Sequence, residues 1–392
     1  MSASQSVDHF VSQLKRRQIF GSNPTALETA QILRTVISNS RWTNAASLIQ
    51  HIRELAVRFL RAQPVGILHD TLLWAFLTKL VSVEFAVGNI VRRVLHLIRE
   101  EYRNSIKEMN SINDSSSSLG GSLSSPGESS SAASYAMHRP ASGESSMFNL
   151  LAESMSPAID YSRQCFQLKQ LIIQGVNEII EELESVSDTL AQQALEHIHS
   201  NEIIMTLGRS KAVEKFLLAA AKKRKFQVIV AEGSPVFGGH QLSKTLASAG
   251  VETLLISDAA IFALMARVNK VIIGCHAVTA NGGLIAPSGS QLIASAARHH
   301  STPVCVVTGT YKVTPIYPEN HDTYNILGNP DAVLPFSDGE LMHQIDVINP
   351  HFDYVPPPYV SLFITNTGGH PPSYVYRLLR ELYDLEDYTI RA

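Results

Sequence analysis

The chain is 392 residues long, and its 32 Lys and Arg stand against 35 Asp and Glu for a formal charge of −3. Hydrophobic residues make up 45% and charged ones 17%, which excludes a wholly disordered chain, and the near-neutral balance argues against a dedicated nucleic-acid binder, which needs a basic excess to displace counterions. No apolar run reaches the roughly 18 residues that cross a bilayer, the first residues hold no apolar leader, and the widely spaced Cys165, Cys275 and Cys305 form no disulfide framework, so the reducing cytosol is the expected compartment.

The first part of the chain reads as helices. Leu27, Ala30, Ile32, Leu33, Val36 and Ile37 recur at helical spacing over 26–37, with Ser22, Asn23 and Pro24 as cap and first-turn signals. A second helix is expected over 44–60, with Leu48, Ile52, Leu55, Ala56 and Phe59 on one face, ended by Gln63-Pro64. A long pattern from 70 to 106 suggests two helices meeting near Gly88; its apolar residues are dense at Leu72–Leu77, and Arg92, Arg93, Arg99, Glu100 and Glu101 read as a solvated face. Serine then dominates residues 111–146, which read as a disordered insert. Helix is expected again over 161–199.

Beyond residue 200 the pattern changes. Short Val/Ile-rich runs at Ile203–Leu207, Phe226–Ala231, Thr253–Ile256, Lys270–Ile273, Val304–Val307 and Val360–Ile364 alternate with helical stretches. That alternation predicts a parallel sheet covered on both faces. The expected architecture is α + α/β: a helical domain over 1–200 that carries the insert, then a Rossmann-like, doubly wound parallel-sheet domain over 201–392.

Chemical motifs are few. The loop Gly233–His240 has glycines but lacks the Lys and Ser/Thr of a phosphate-binding loop, and no dinucleotide fingerprint follows any strand. The loop from Gly274 to Ser290 sits at a strand's carboxyl end and leads into a helix, so it reads either as an anion-holding loop or as a plain glycine-rich turn with Ser290 as N-cap. Cys275-His276, His299-His300 and His197-Ile198-His199 lack zinc spacing. Lys222–Lys225 reads as a helix end. No metal or cofactor is expected.

Several segments carry a likeness: Gln193–Leu217, Lys225–Pro235, Asp258–Gly283, Phe352–Pro358 and Ile364–Tyr383. Together the chain resembles the regulatory alpha/beta/delta subunit family of eukaryotic translation initiation factor 2B, and within it the beta type. That family is related in fold to sugar-phosphate isomerases such as methylthioribose-1-phosphate isomerase, which use a Cys and an Asp to move protons. By the resemblance, the Cys position is Gly208 and the Asp position is His276. The phosphate-side loop, Asn-Lys-x-Gly-Thr in those enzymes, reads Ala286-Pro287-Ser288-Gly289-Ser290, so Ala286 and Pro287 stand in place of its Asn and Lys, Ser290 replaces its Thr, and Gly289 is kept, as is Asn281. Two further charged motifs read Phe20-Gly21 and Gln63-Pro64-Val65. The implied pocket of Gly208, His276, Asn281, Gly289 and Ser290 is degenerate, since general acid–base groups contribute about 10²–10⁴-fold in rate and Gly208 can carry no proton.

The resemblance implies a non-catalytic regulatory subunit of the guanine-nucleotide exchange factor that acts on translation initiation factor 2. Its partners would be the alpha, gamma, delta and epsilon subunits and translation initiation factor 2 itself, above all the alpha subunit, phosphorylated or not. The resemblance implies that Asn201 and Gln227 line the contact between beta and delta subunits; the aromatic and Arg residues of the tail make Tyr374 and Arg377 further interface candidates, with core packing as the alternative, and Arg34, Arg53, Arg58 and Arg61 could meet an acidic face of that substrate, with solvated helix surface as the alternative. The alternatives are an isomerase relative and a metabolite-binding sensor.

Overall fold

The computed structural model describes residues 3–16, 18–19, 21–62, 84–117, 160–163, 167–318, 326–339 and 344–390. Phe20, the segment 63–83 with its predicted helix and Pro64, Cys165 and the insert beyond Ser117 lie outside these residues.

Among the described residues five long helices lie in the first half: α1 (Ala3–Lys15), α2 (Ser22–Asn39), α3 (Ala45–Ala62), α4 (Phe85–Ser117) and α5 (Leu168–Gln192). The expected apolar face of α3 is buried, including Leu48, Ile52, Leu55, Ala56 and Phe59. Helix α2 starts earlier than its apolar pattern, because Gly21 takes a φ of 96° and caps it, leaving Ser22, Asn23 and Pro24 inside the first turn. No break occurs near Gly88. Helix α4 passes straight through it, and its missing side chain makes room for the Arg92 guanidinium, 3.0 Å from where a Cβ would stand. The helix also runs on through Ser111–Ser117, so the start of the serine-rich stretch is helical. Helix α5 begins at Leu168, not at Tyr161, and one further helical turn follows it at Ala194–His197.

The arginines of α4 are not a solvated face. Arg92 and Arg99 are 6% and 1% exposed. The C-terminal segment lies across this side of the helix, and its Asp387 accepts from Arg99 Nε at 3.0 Å and from Arg53 Nη2 at 2.6 Å.

Ten strands follow among the described residues: β1 (Ile203–Leu207), β2 (Gln227–Ala231), β3 (Glu252–Ile256), β4 (Lys270–Gly274), β5 (Ala277–Val278), β6 (Leu284–Pro287), β7 (Val304–Val307), β8 (Phe352–Val355), β9 (Leu362–Thr365) and β10 (Gly368–His370). Seven form one sheet in the order β10-β9-β7-β4-β1-β2-β3, parallel except for β10, and β5-β6-β8 form a small antiparallel sheet. Strand β9 begins two residues later than predicted, because Pro357–Tyr359 forms a 3₁₀ turn ahead of it. Helices α6 (Lys211–Ala221), α7 (Gly238–Ser248), α8 (Ile261–Met265), α9 (Ser290–His299) and α10 (Val375–Leu382) lie among the described residues of the α/β half.

Alternate residues of each strand enter different cores. Ile204, Val228, Ile272 and Val307 join the core of α1–α6, while Met205, Ile229, Val271 and Val306 join the core beneath α9 and α10. The first core is continuous across residue 200, so the helical half is packed on one face of the sheet. Among the described residues no helix is long and apolar enough to cross a membrane, and no three metal-binding side chains cluster.

Candidate functional site

The strand order reverses between β1 and β4, and in open parallel sheets the ligand crevice lies at the carboxyl ends beside that reversal. Gly208 follows β1 there with a φ of 55°, and a Cβ added to it would meet nothing within 4 Å. The space for a proton-carrying side chain exists, and no such side chain fills it.

Gly289 stands against the same strand end, where a Cβ would come 3.2 Å from Leu207 Cδ2. It is Gly289, not Ser290, that caps α9; Ser290 is the first helical residue, and its hydroxyl donates to the Pro287 carbonyl at 2.6 Å. The anion seat at this helix start is taken. Gly289 and Gln291 both donate their N–H groups to Asp353 Oδ2, at 2.7 and 3.1 Å. A carboxylate of the chain itself sits where a helix N-terminus would hold a phosphate.

His276 lies beyond β4. Its Nδ1 is 3.3 Å from Ser22 Oγ at the start of α2, and its Nε2 is 3.7 Å from Glu84 Oε2 just ahead of α4. The ring stacks on Phe352 at 4.5 Å between centroids and meets the edge of Phe85 at 5.9 Å. Burial pushes the Glu84 carboxyl up to about 7, against the opposing pull of Lys312, His351 and a Ser22 hydrogen bond. Burial also raises the neighbouring Cys275 thiol, whose Sγ donates to Thr308 Oγ1 at 3.2 Å. A thiol held neutral in this way is neither a nucleophile nor a base.

Asn281 is used up by its own turn. Its Oδ1 accepts from Thr279 Oγ1 at 2.7 Å and from the Gly283 N–H at 3.0 Å, while Nδ2 donates to the Tyr354 hydroxyl at 2.7 Å. Three consecutive residues of β8 each hold a neighbour here: Phe352 stacks on His276, Asp353 caps α9 and the Tyr354 hydroxyl accepts from Asn281. Sequence reasoning took this run only as part of a family likeness. The available signal was a lone acidic residue between two aromatic ones in a short strand, and the pairing of Ala286 with Asp353 is what aims it at α9.

The interface candidates fall in two places. Asn201, exposed at a φ of 65°, donates its N–H to the Lys225 carbonyl at 2.8 Å, and Gln227 Nε2 donates to Glu252 Oε1 at 2.9 Å. Both mark the amino ends of β1 and β2, away from the crevice. Tyr374 instead stacks on His370 at 4.6 Å with 6° between rings, and the Arg377 guanidinium lies 5.5 Å over the Tyr374 ring. Strands β9, β7 and β4 separate β10 from β1, so the structure does not join the two pairs. Of the arginines read as substrate-facing, Arg53 is bound to Asp387, Arg58 pairs with Asp8, and Arg34 donates to Asn177 Oδ1 at 3.1 Å.

The model of the initiation factor 2 subunit family matches residues 18–372. The translation initiation factor eIF2B subunit beta of Schizosaccharomyces pombe is 42% identical over 397 aligned residues, covering 97% of this chain and 96% of that protein. The fold is similar to one chain of the tetrameric eIF2B-beta2-delta2 complex from C. thermophilum, with a TM-score of 0.64 and 26% identity over 98% of this chain and 96% of that one. The ribose 1,5-bisphosphate isomerase of Pyrococcus furiosus is 32% identical over 216 residues, 55% of this chain and 67% of that enzyme.

Proposed function

The chain belongs to the initiation factor 2 subunit family, and from that premise we propose that it is a non-catalytic regulatory subunit, of the beta type, in the guanine-nucleotide exchange factor for translation initiation factor 2. The observation that carries this reading is the likeness to a beta subunit over 97% of the chain. The isomerase likeness spans 55% of it. The chemistry of the crevice supports the same reading. Gly208 carries no proton, and the Asp353 carboxylate would repel a phosphate from the helix start it occupies.

In this reading the α/β half pairs with a delta-type subunit; the chain that the fold resembles comes from a complex of beta and delta subunits. An alpha subunit completes the core, gamma and epsilon flank it, and epsilon carries the exchange step in the cytosol. Asn201, Gln227, Tyr374 and Arg377 belong to subunit contacts. The helical half meets the alpha subunit of initiation factor 2, and phosphorylation of that substrate shifts the populations of docked states.

Co-expression of the tagged full chain with the other four subunits tests this. Delta, gamma and epsilon are expected to co-purify, and omission of this chain is expected to lower nucleotide exchange. A stable monomer with no affinity for those subunits would overturn the proposal, as would turnover of a ribose 1-phosphate derivative by the purified chain.

A further inference from the structure

Residues 326–339 and 344–350, between β7 and β8, form an arm that buries little of itself. Its base is pinned. The Gly328 N–H donates to the Asn349 carbonyl at 2.7 Å, the His351 N–H to the Ile326 carbonyl at 2.9 Å, and Asn349 Nδ2 to the Asn329 carbonyl at 2.9 Å. Its turn is set as well, since Asp331 Oδ1 accepts from the Phe336 N–H at 3.0 Å and the Pro330 carbonyl from the Leu334 N–H at 3.0 Å. From Asp331 to Gly339 and from Gln344 to Ile348, every residue is exposed except the half-buried Leu334 and Val347. Val333, Phe336, Ile345 and Ile348 are 50–59% exposed. An ordered segment that leaves its large apolar side chains in water marks a contact surface. Its charge is one-sided: Asp331, Asp338 and Asp346 are exposed on it, and the sequence holds no Lys or Arg from Val313 to Tyr376.

The complement lies in the helical half. A groove of about 410 Å³ between α1 and α3 is lined by Val11, Val57 and Ala62, by the cations Lys15, Arg58 and Arg61, and by one acid, Glu54. Arg58 pairs with Asp8. Lys15 and Arg61, in the last turns of the two helices, are exposed and form no ion pair among the described residues. No described residue of the arm lines this groove, so an arm that fills it comes from another molecule.

We propose that the arm of one copy docks in the α1–α3 groove of a second copy, with Phe336 on the apolar floor and the arm's carboxylates against Lys15 and Arg61. The Lys and Arg stems extend that floor while their charged heads stay at the rim, where an acidic element meets them. The pinned base and turn leave little order to be imposed on docking. Arm and groove are different patches, so the contact closes when two copies exchange arms and propagates when they do not. It goes beyond the subunit reading and stands whether or not that reading holds.

Sedimentation of the full chain tests the contact. The wild type is expected to run above monomer mass at up to about 0.1 mM, and its self-association to weaken at least about tenfold as salt rises from about 0.05 to 0.5 M. Two charge reversals separate the surfaces: Asp338→Lys with Asp346→Lys on the arm, and Lys15→Glu with Arg61→Glu on the groove. Each is expected to weaken self-association at least about tenfold, because like charges then meet. An equimolar mixture of the two reversed proteins is expected to associate again, since each arm then matches the other protein's groove. Phe336→Ser is expected to weaken association with the charge unchanged. All the substituted side chains are exposed, so the circular-dichroism spectra should match the wild type. A monomeric wild type, association that survives both reversals, or a mixture that stays monomeric would overturn the proposal. If a reversed protein does not fold, Phe336→Ser and the salt series decide, and no change in either would overturn it.

Discussion

Asp353 gives one oxygen to two backbone N–H groups, those of Gly289 and Gln291. Removing it leaves two donors at the start of α9 without an acceptor and removes a negative charge from the positive end of the helix dipole. Asp353→Ala is expected to cost about 1–2 kcal/mol, read as a lower urea midpoint at unchanged slope. Asp353→Asn, which keeps an acceptor and loses the charge, should fall between the two. The same substitutions check the account of the crevice, since a midpoint that does not move would mean that Asp353 caps nothing. Gly208 and Asp353 also differ in how far the sequence exposes them. A glycine after the first strand is visible as a missing proton carrier once the strand is placed. The cap is invisible, because Ser290 is the local candidate and Asp353 arrives from 64 residues beyond Gly289 through strand pairing.

The same limit operates on α4. Periodicity gives its apolar stripe, and Ile90, Val94, Leu95 and Ile98 are buried as that stripe requires. Periodicity cannot tell which segment lies on the opposite side. Here it is the C-terminal segment: Arg99 meets Asp387 and Glu386, Arg103 meets Asp384 at 2.8 Å, and Arg92 Nε donates to the Asp387 carbonyl at 3.2 Å. Burial pulls Arg92 down to about 10, which still leaves it charged at neutral pH. Asp387 is thus the shared acceptor for Arg53 and Arg99. Asp387→Ala takes one of two carboxylate partners from the almost wholly buried Arg99 guanidinium and leaves Glu386 as the other, and the expected loss is about 1–3 kcal/mol, measured as a fall in thermal midpoint. A loss under about 1 kcal/mol would mean that water or another acidic side chain replaces the partner. Asp384 adds a pH dependence. Burial works to raise it, but the Glu386 N–H and the charges of Arg99 and Arg103 prevail and hold it below the ordinary aspartate range. Its contribution is present above that range and lost as pH falls. Acid should therefore release the C-terminal segment from α4.

At the scale of the whole molecule, alternating strands and helices made the parallel sheet legible, because each strand is apolar on both sides and must be covered twice. The strand order was not legible. It places the reversal between β1 and β4, and so the crevice, through packing that no local pattern encodes. The small sheet stayed hidden because β5 has two residues and β8 mixes buried with half-buried ones. The order also leaves β3 as an edge strand. Leu254 and Leu255 on it are 43% and 41% exposed, with no proline or lysine in the strand to discourage pairing. Phe262 on α8 is 52% exposed, its ring 5.1 Å from that of His299, and Leu292, 49% exposed, lies two turns before His299 on the same side of α9. A subunit whose apolar residues still face outward has these surfaces available for association. If the delta-type subunit covers them, a charged pair of substitutions, Leu254→Lys with Phe262→Glu, should abolish its co-purification, because a partner would have to bury two unpaired charges. The circular-dichroism spectrum should be unchanged, since both side chains point out of the core. Arg34→Ala, in the helical half, serves as the control and should leave the pairing intact. Sedimentation of the double variant alone should show less self-association than the wild type. Undiminished recovery of the delta-type partner would assign these apolar residues to another contact and leave the amino ends of β1 and β2, marked by Asn201 and Gln227, as the surface on which to look for it.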